Sequence, residues 1–183
     1  MRLNTRKTIL AGLFTSLICV GAFLKVPLLF VPMTLQFFFV NFAILFEERR
    51  YGILSVAAYL LLGLCGLPVF SGGGGISYVL SPTFGYLLGF LLAAVVSGTL
   101  KARMAQTLPA RLFLSALNIF TVHLLGVLYY YCLSNFYLGS PISLSELVVV
   151  GSLIFLPNDA LSGALSSYLA VKMEGIAGAR RAA

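Results

Sequence analysis

A single carboxylate interrupts the last long apolar segment of the chain. Asp159 follows Pro157 and Asn158 there, and small residues such as Ser162 come after it. If the segment crosses a bilayer, an ionisable side chain at that depth is costly and marks a functional site by default. We therefore interpret Asp159 as a ligand-binding residue. The alternative is a structural carboxylate paired with a buried donor such as Gln36.

Isolated polar side chains interrupt other apolar segments. Thr34, Gln36 and Asn41 place a hydroxyl and two amides in one such segment, and buried polar groups must find partners. Interhelical hydrogen bonds and ligand contacts both remain open for them. His123 is the only histidine. We interpret it as a hydrogen-bonded packing residue whose replacement by alanine leaves ligand binding intact.

A loop without any charge, residues 66–85, separates two apolar segments. It contains four consecutive glycines, among them Gly73 and Gly74. Glycine adopts backbone conformations closed to other residues and lets a ligand approach the main chain closely. No Lys-Ser or Lys-Thr pair follows the glycines, so a Walker-type phosphate-binding loop is excluded. We predict a lid over a small, mostly apolar ligand.

The sequence contains no motif for metal binding or catalysis. Its three cysteines lack CxxC spacing, and one histidine is too few for the usual zinc site. The serine-nucleophile motif GxSxG is also absent. We therefore predict a binding protein without metal or cofactor rather than an enzyme. A small intramembrane enzyme using His123 with a serine or Asp159 is the alternative. A solitary facilitator or an assembly protein with a GxxxG face is the third interpretation.

Composition identifies the elements that must position these residues. Apolar residues make up 60% of the 183-residue chain and charged residues 9%, against about 25% charged in soluble domains. The apolar runs are continuous rather than alternating, which favours helices over a membrane β-barrel. We predict an all-α polytopic membrane protein, a single domain over residues 1–183 with six transmembrane helices. The expected spans are 8–26, 33–46, 52–67, 83–100, 112–133 and 147–173.

The distribution of basic residues predicts the orientation of the spans. Every lysine and arginine except Lys25 falls before the first span, near or after the end of the last, or in alternate connections. Such an excess marks the cytoplasmic side of a membrane protein. Both termini are therefore expected in the cytoplasm. The net charge of +7 reports this topology rather than a nucleic-acid partner.

Small residues form a stripe on the first span. Ala11 and Thr15, and beside them Gly12 and Ser16, are spaced four residues apart. This spacing permits close approach of another helix in a bilayer. Packing inside the protein is one interpretation, and docking of another membrane subunit is the other.

Four segments of the chain together resemble the BioY family. They are Val31-Pro-Met-Thr-Leu-Gln36, Gly63-Leu-Cys-Gly-Leu-Pro-Val-Phe-Ser-Gly-Gly-Gly-Gly75, Ser81-Pro-Thr-Phe-Gly-Tyr-Leu-Leu-Gly-Phe90 and Leu156-Pro-Asn-Asp159. BioY proteins are the biotin-specific substrate-binding (S) components of energy-coupling factor (ECF) transporters. The resemblance implies six transmembrane helices and an outer biotin pocket. The loops between the first and second helices and between the third and fourth would close that pocket.

The resemblance also implies roles for individual residues. Asp159 is expected to accept a hydrogen bond from a ureido N–H of biotin, while Gln36 or Asn158 satisfies the ureido carbonyl or the other N–H. Lys25, the only basic residue expected on the outer side, is our hypothesis for the partner of the valerate carboxylate. Ser162 stands where many family members carry a lysine. The remaining expected ligand-contacting residues are Thr34, Phe70, Tyr78 and Tyr86, with Gly73 and Gly74 in the lid.

The resemblance implies protein partners as well. They are a transmembrane coupling subunit and two cytoplasmic ABC-type ATPase subunits, located at a bacterial cytoplasmic (inner) membrane. An external energy source is needed because this chain has no nucleotide-binding motif of its own. The coupling subunit is expected to dock on the small-residue stripe of Ala11, Gly12, Thr15 and Ser16.

Overall fold

The part of the protein that the structure describes contains seven α-helices and one β-hairpin, besides short 3-10 and π-helical turns. The computed structural model describes residues 4–28 and 31–182. The helices are α1 (Thr5–Phe23), α2 (Gln36–Phe46), α3 (Arg49–Leu64), α4 (Phe84–Lys101), α5 (Leu108–Cys132), α6 (Leu144–Val148) and α7 (Leu156–Ala182). The strands are β1 (Lys25–Leu28) and β2 (Val31–Thr34). The predicted all-α fold class is confirmed, and the short hairpin is an addition to it.

The hairpin occupies the connection between the first two expected spans, 8–26 and 33–46. β1 and β2 pair antiparallel, with Lys25 opposite Thr34 and Pro27 opposite Pro32. Proline cannot donate to a ladder and is tolerated mainly on edge strands. Both strands of a two-stranded sheet are edges, so an extended hairpin accommodates the two prolines that exclude a helix.

Helix α2 lies at the centre of the bundle. It contacts α1, α3, α4, α5 and α7, and its buried residues include Phe37, Val40 and Leu45. A helix that is apolar on all sides is typically buried on all sides. Its eleven residues rise only about 16 Å, less than the roughly 30 Å of a bilayer core. The short second span expected from the sequence is therefore a buried half-helix preceded by β2.

Not every helix is long enough to cross a membrane alone. Among the described residues, Thr5–Phe23, Phe84–Lys101 and Leu108–Tyr137 are sufficiently long and apolar. Leu144–Leu153 and Leu156–Ile176 form a bent pair, with 41° between them, that meets the same standard as one span. Residues 4–28 and 31–182 therefore supply up to four spans by length and composition, while α2 and α3 are shorter.

The last apolar segment is broken rather than continuous over 147–173. A π-helical turn, Val149–Leu153, follows α6, and α7 begins at Leu156. Pro157 has no N–H and is tolerated in the first turn of a helix but not in its interior. Helix α7 therefore begins afresh just before Pro157, which places Asn158 and Asp159 in its first turn.

The small-residue stripe of α4 packs against α5 inside the protein. A Cβ atom added to Gly85 would lie 2.3 Å from Cβ of Tyr129, and one added to Gly89 would lie 2.7 Å from Cα of Val122. Real Cβ contacts of that kind do not occur, so glycine is required for this close approach. The GxxxG pattern thus serves packing between α4 and α5.

The four small residues of α1 divide between two environments. Ala11 and Thr15 are buried against α3: Thr15 Oγ1 donates to the Ser55 carbonyl at 3.1 Å, and Ser55 Oγ donates to the Ala11 carbonyl at 3.2 Å. Gly12 and Ser16 are exposed. The first pair therefore packs internally, and the second pair is the part of the stripe that remains accessible.

The end of the bundle expected to face the cytoplasm contains most of the described ion pairs. Arg111 at the start of α5 forms a salt bridge with Glu174 of α7. One of its nitrogens, Nη2, donates to both carboxylate oxygens, at 2.8 and 3.0 Å. Lys101 Nζ donates to the carbonyls of Ile44 and Leu45 at 2.8 and 3.0 Å. Lys101 thereby satisfies carbonyl groups that the end of α2 leaves without helical partners.

Candidate functional site

A cavity of about 460 Å³ lies at the opposite end of the bundle from the Arg111–Glu174 pair. Its walls come from the start of α2, the first half of α4, the second half of α5 and the start of α7. The volume falls within the roughly 300–1,000 Å³ of small-molecule sites. Aromatic and apolar side chains line most of it, including Phe37, Leu87, Phe90, Val122 and Phe155.

Asp159 provides the only carboxylate among the residues that line this cavity. Its Oδ2 lies 3.0 Å from His123 Nε2, and its Oδ1 accepts from Asn158 Nδ2 at 3.2 Å. The other ring nitrogen of His123, Nδ1, lies 3.1 Å from Ser152 Oγ. Position in the first turn of α7 also favours an anionic side chain, because the amino end of a helix is electropositive.

Gln36 is not the partner of Asp159. Its Nε2 donates to the Tyr59 hydroxyl at 3.0 Å, and its side chain lines the cavity from the start of α2. This hydrogen bond fixes the amide nitrogen toward α3. The carbonyl oxygen of the same amide is therefore the group that can accept from a ligand.

Two tyrosines form part of the cavity wall and are themselves anchored. The Tyr86 hydroxyl donates to the Gly151 carbonyl at 2.6 Å, and its ring lies edge-on to His123 with centroids 6.0 Å apart. The Tyr78 hydroxyl lies 3.0 Å from Thr83 Oγ1. Both rings are therefore held in place by hydrogen bonds within the protein, which is the kind of preorganisation that favours ligand binding.

The expected ligand-contacting residues divide into two groups in the structure. Six of them line the cavity: Thr34, Gln36, Tyr78, Tyr86, Asn158 and Asp159. Phe70, Gly73 and Gly74 do not line it. The backbone of Lys25 pairs with that of Thr34, but its side chain lies outside the described part of the protein.

Phe70 anchors the glycine loop instead of facing the cavity. Its side chain is fully buried, with its ring centroid 5.3 Å from that of Tyr59 and 4.7 Å from that of Tyr78. The ring rests on Gly63, where an added Cβ would lie 2.1 Å from Phe70 Cζ. Phe70 therefore holds Tyr78 against the cavity from behind.

Two positions in the loop require glycine, one because of its backbone conformation and one because a side chain would clash. Gly73 has φ of +123° and exchanges two backbone hydrogen bonds with Phe70, at 2.9 and 3.0 Å. A Cβ at Gly74 would lie 2.1 Å from the Leu67 carbonyl oxygen. The loop is a compact, internally bonded turn. Gly72 and Gly74 also line a shallow depression outside the cavity, beside Tyr78.

Sequence reasoning missed the place of His123 and Ser152 in the site. His123 is hydrogen-bonded, as expected, but it lines the cavity beside Asp159. A usable signal existed, because His123 and Asp159 lie at similar distances from the outer ends of their expected spans, 112–133 and 147–173. Ser152 gave none, because its side chain reaches His123 only through the π-helical turn.

Ser152, His123 and Asp159 form a string that superficially resembles a catalytic triad. Ser152 does not line the cavity and is buried, so its hydroxyl is not presented to a bound molecule. A nucleophile must reach the reacting atom of its substrate. No group of three or more potential metal ligands occurs among the described residues either.

Comparison with known proteins places the chain in one family. The model of the BioY family matches residues 1–178. The chain is 37% identical to the probable biotin transporter BioY of Lysinibacillus sphaericus over 93% of this chain and 87% of that protein. It is 36% identical to the biotin transporter BioY of Thermotoga maritima, over 92% and 96% of the two chains.

A solved structure agrees with these relatives. The crystal structure of the S-component for biotin from an ECF-type ABC transporter is similar, with a TM-score of 0.79 and 26% identity. The match covers 96% of this chain and 95% of that one. These proteins are named as transporters or transporter components, so the enzyme alternative finds no support. This chain belongs to the BioY family.

Proposed function

We propose that this protein is the biotin-binding S component of an ECF-type ABC uptake transporter in the bacterial cytoplasmic membrane. The observation that carries the proposal is the cavity at the end of the bundle opposite the Arg111–Glu174 pair, with a single carboxylate among aromatic and apolar walls. Its family membership makes biotin the ligand to test first.

The chemistry of biotin suits the polar end of the cavity. Its ureido ring offers two N–H donors and one carbonyl acceptor. Asp159 supplies an acceptor, Asn158 Nδ2 keeps a second hydrogen for the ureido carbonyl, and the Gln36 carbonyl is an acceptor for the other N–H. Each of these side chains lines the cavity. The bicyclic core would then lie among Tyr86, Phe90 and their apolar neighbours.

The valerate tail would point toward the hairpin. No lysine or arginine occurs among the described residues that line the cavity. The backbone of Lys25 lies beside the cavity, because it pairs with Thr34, which does line the cavity. We retain Lys25 as the proposed partner of the carboxylate, and Gly73 and Gly74 as part of the loop that covers the mouth.

Transport requires partners that supply energy. We propose a transmembrane coupling subunit and two cytoplasmic ABC-type ATPases, with docking on the exposed part of α1. Gly12 and Ser16 are exposed there, beside the large exposed side chains of Ile9 and Leu13. The buried pair Ala11 and Thr15 would support this face from within by holding α1 on α3.

Equilibrium binding of labelled biotin to the purified, detergent-solubilised protein tests the proposed function. We expect sub-micromolar affinity and competition by unlabelled biotin. Thr99→Ala is the matched control, because Thr99 is half-buried on α4, does not line the cavity and bonds only its own helix. Absence of binding in a folded preparation contradicts the proposal. Uptake into vesicles should appear only when the coupling and ATPase subunits are reconstituted together with it.

A further inference from the structure

His123 connects three elements at the polar end of the cavity. It projects from α5, and its two ring nitrogens reach Asp159 on α7 at 3.0 Å and Ser152 in the π-helical turn at 3.1 Å. Only 8% of the residue is exposed, and what is exposed faces the cavity that it lines. Both hydrogen-bonding atoms of the ring are thus engaged by groups of the protein itself.

The partners of the ring determine where its proton lies. An ionised carboxylate can only accept, so the nitrogen facing Asp159, Nε2, must carry hydrogen. In the neutral ring Nδ1 is then an acceptor, which the Ser152 hydroxyl satisfies as donor. The π-helical turn that contains Ser152 is itself held by Tyr86, whose hydroxyl donates to the Gly151 carbonyl at 2.6 Å. The surroundings therefore select one tautomer and one ring orientation.

This arrangement constrains the carboxylate rather than saturating it. His123 engages Oδ2 of Asp159 and Asn158 engages Oδ1, so each oxygen keeps a lone pair for a further donor. Without His123, one side of a largely buried charge would lose its donor, which is costly. The carboxyl plane would also be free to turn away from the cavity.

We propose that His123 is a positioning and specificity-determining residue, whose Nε2–H aims the Asp159 carboxylate at ligands that present N–H donors. This inference rests on the proposed function. It reverses the sequence-based expectation that alanine at this position leaves binding intact. A ligand with a free ureido N–H gains from the aimed carboxylate, whereas an analogue methylated on a ureido nitrogen gains less.

Binding of biotin and of a ureido N-methyl analogue to three variants tests the inference. His123→Ala should weaken biotin binding about 10-fold to 100-fold, the usual cost of losing a hydrogen bond to a charged group. It should also reduce the preference for biotin over the methylated analogue. His123→Gln retains an N–H donor and should recover part of both.

Asn118→Ala is the matched control. Asn118 is another buried polar residue of α5, bonded to Asn41 and Ser97, and it does not line the cavity. Its loss should lower the thermal unfolding midpoint while the preference for biotin stays unchanged. If His123→Ala behaves in the same way, with a normal preference, the proposed positioning role is wrong and the proposed function still stands.

Nitrogen NMR of the protein labelled with 15N-histidine provides a second readout. Because His123 is the only histidine, the spectrum reports this ring alone. We expect the Nε2–H tautomer in the ligand-free protein, its loss in Asp159→Asn, and a change in the His123 signals when biotin is added. An Nδ1–H tautomer overturns the inference even if the alanine variant fails to fold. Failure of the wild-type protein to bind biotin contradicts the proposed function instead, while the ligand-free tautomer still tests the His123–Asp159 contact.

Discussion

Two clusters of buried polar side chains join α5 and α7, and they differ in how completely they are satisfied. The closed network, as we call it, consists of Asn41, Ser97, Ser115, Asn118 and Ser166. The cavity cluster consists of Ser152, His123, Asn158 and Asp159. The closed network contains no ionisable group. The cavity cluster contains two and opens onto space for a ligand.

The hydrogen-bonding groups of the closed network are paired with other groups of the protein. Asn41 Nδ2 donates to Ser115 and Ser166 at 2.7 Å each, and its oxygen accepts from Asn118 at 2.7 Å. These bonds tie α2 to α5 and α7, as interhelical hydrogen bonds commonly do in membrane proteins. The cavity cluster keeps lone pairs of Asp159 toward the cavity. A binding site therefore differs from a structural network in the hydrogen-bonding groups that it leaves unpaired, and not in how deeply its side chains are buried.

Removing the carboxylate of Asp159 from the cavity cluster should have the largest effect on ligand binding. Asp159→Asn leaves volume nearly unchanged but replaces an anionic acceptor with an amide. We expect biotin affinity to fall by about 100-fold, near the upper cost of a hydrogen bond to a charged group. Equilibrium binding measures this loss. Normal biotin binding by this variant would show that Asp159 is a structural carboxylate rather than a ligand-binding one.

Opening the closed network should affect stability instead of recognition. Asn41→Leu removes the amide that three side chains share and leaves buried groups without partners. We expect a destabilisation of about 2–3 kcal/mol, seen as a lower thermal unfolding midpoint in detergent. The preference for biotin over its ureido N-methyl analogue should not change. A changed preference with normal stability would show that the two clusters are not separate.

The two clusters also differ in how far the sequence predicts them. Asp159 was recognisable because a charge in an apolar segment is costly enough to need a purpose. The start of the second span near residue 33 followed from Pro32 and the apolar run after it. The sequence left hydrogen bonding and ligand contact equally open for Gln36 and Asn41. In the structure Asn41 enters the closed network, whereas Gln36 lines the cavity.

The remaining features depend on helix rotation, which hydrophobic runs alone do not specify. A span that is apolar on all sides has no amphipathic face to set its orientation, so the similar depths of His123 and Asp159 in their expected spans indicated proximity but did not establish the contact. The π-helical turn that brings Ser152 to His123 has no sequence signature. Phe70 points inward because Gly63 leaves room for its ring, a relation between two residues rather than a property of either.

The glycine loop provides a third test of this difference, because Ser71, Tyr78, Pro82 and Thr83 of the loop line the cavity while Gly73 and Gly74 do not. Replacing Gly73 and Gly74 together by valine should weaken biotin binding about tenfold, since strained backbone of this kind costs on the order of 1–3 kcal/mol. The loop touches neither polar cluster, so the preference among ligands should persist. Gly175→Ala is the control, because an added Cβ there meets no atom within 4 Å. A changed preference would move recognition into the loop.

The smallest predicted effect concerns a carboxyl that is buried away from the cavity. Glu47 caps the end of α2, where its Oε2 accepts from Ser55 Oγ at 2.5 Å, and its Oε1 has no hydrogen-bond partner among the described residues. Burial raises the pKa of Glu47 to about 7, although Ser55 and Lys101 act in the opposite direction. Burial of a carboxyl therefore occurs at both ends of the bundle, and only Asp159 has a ligand-sized space beside it.

The sign of the pH effect follows from that raised pKa. Between the unfolded pKa and about 7, the folded state binds more protons than the unfolded state, so stability falls as pH rises through this range. We expect a loss of about 1 kcal/mol between about pH 6 and about pH 8. Thermal unfolding across this range should show it, and Glu47→Gln should remove this slope without changing biotin affinity. A slope that persists in Glu47→Gln would assign the titration to another group.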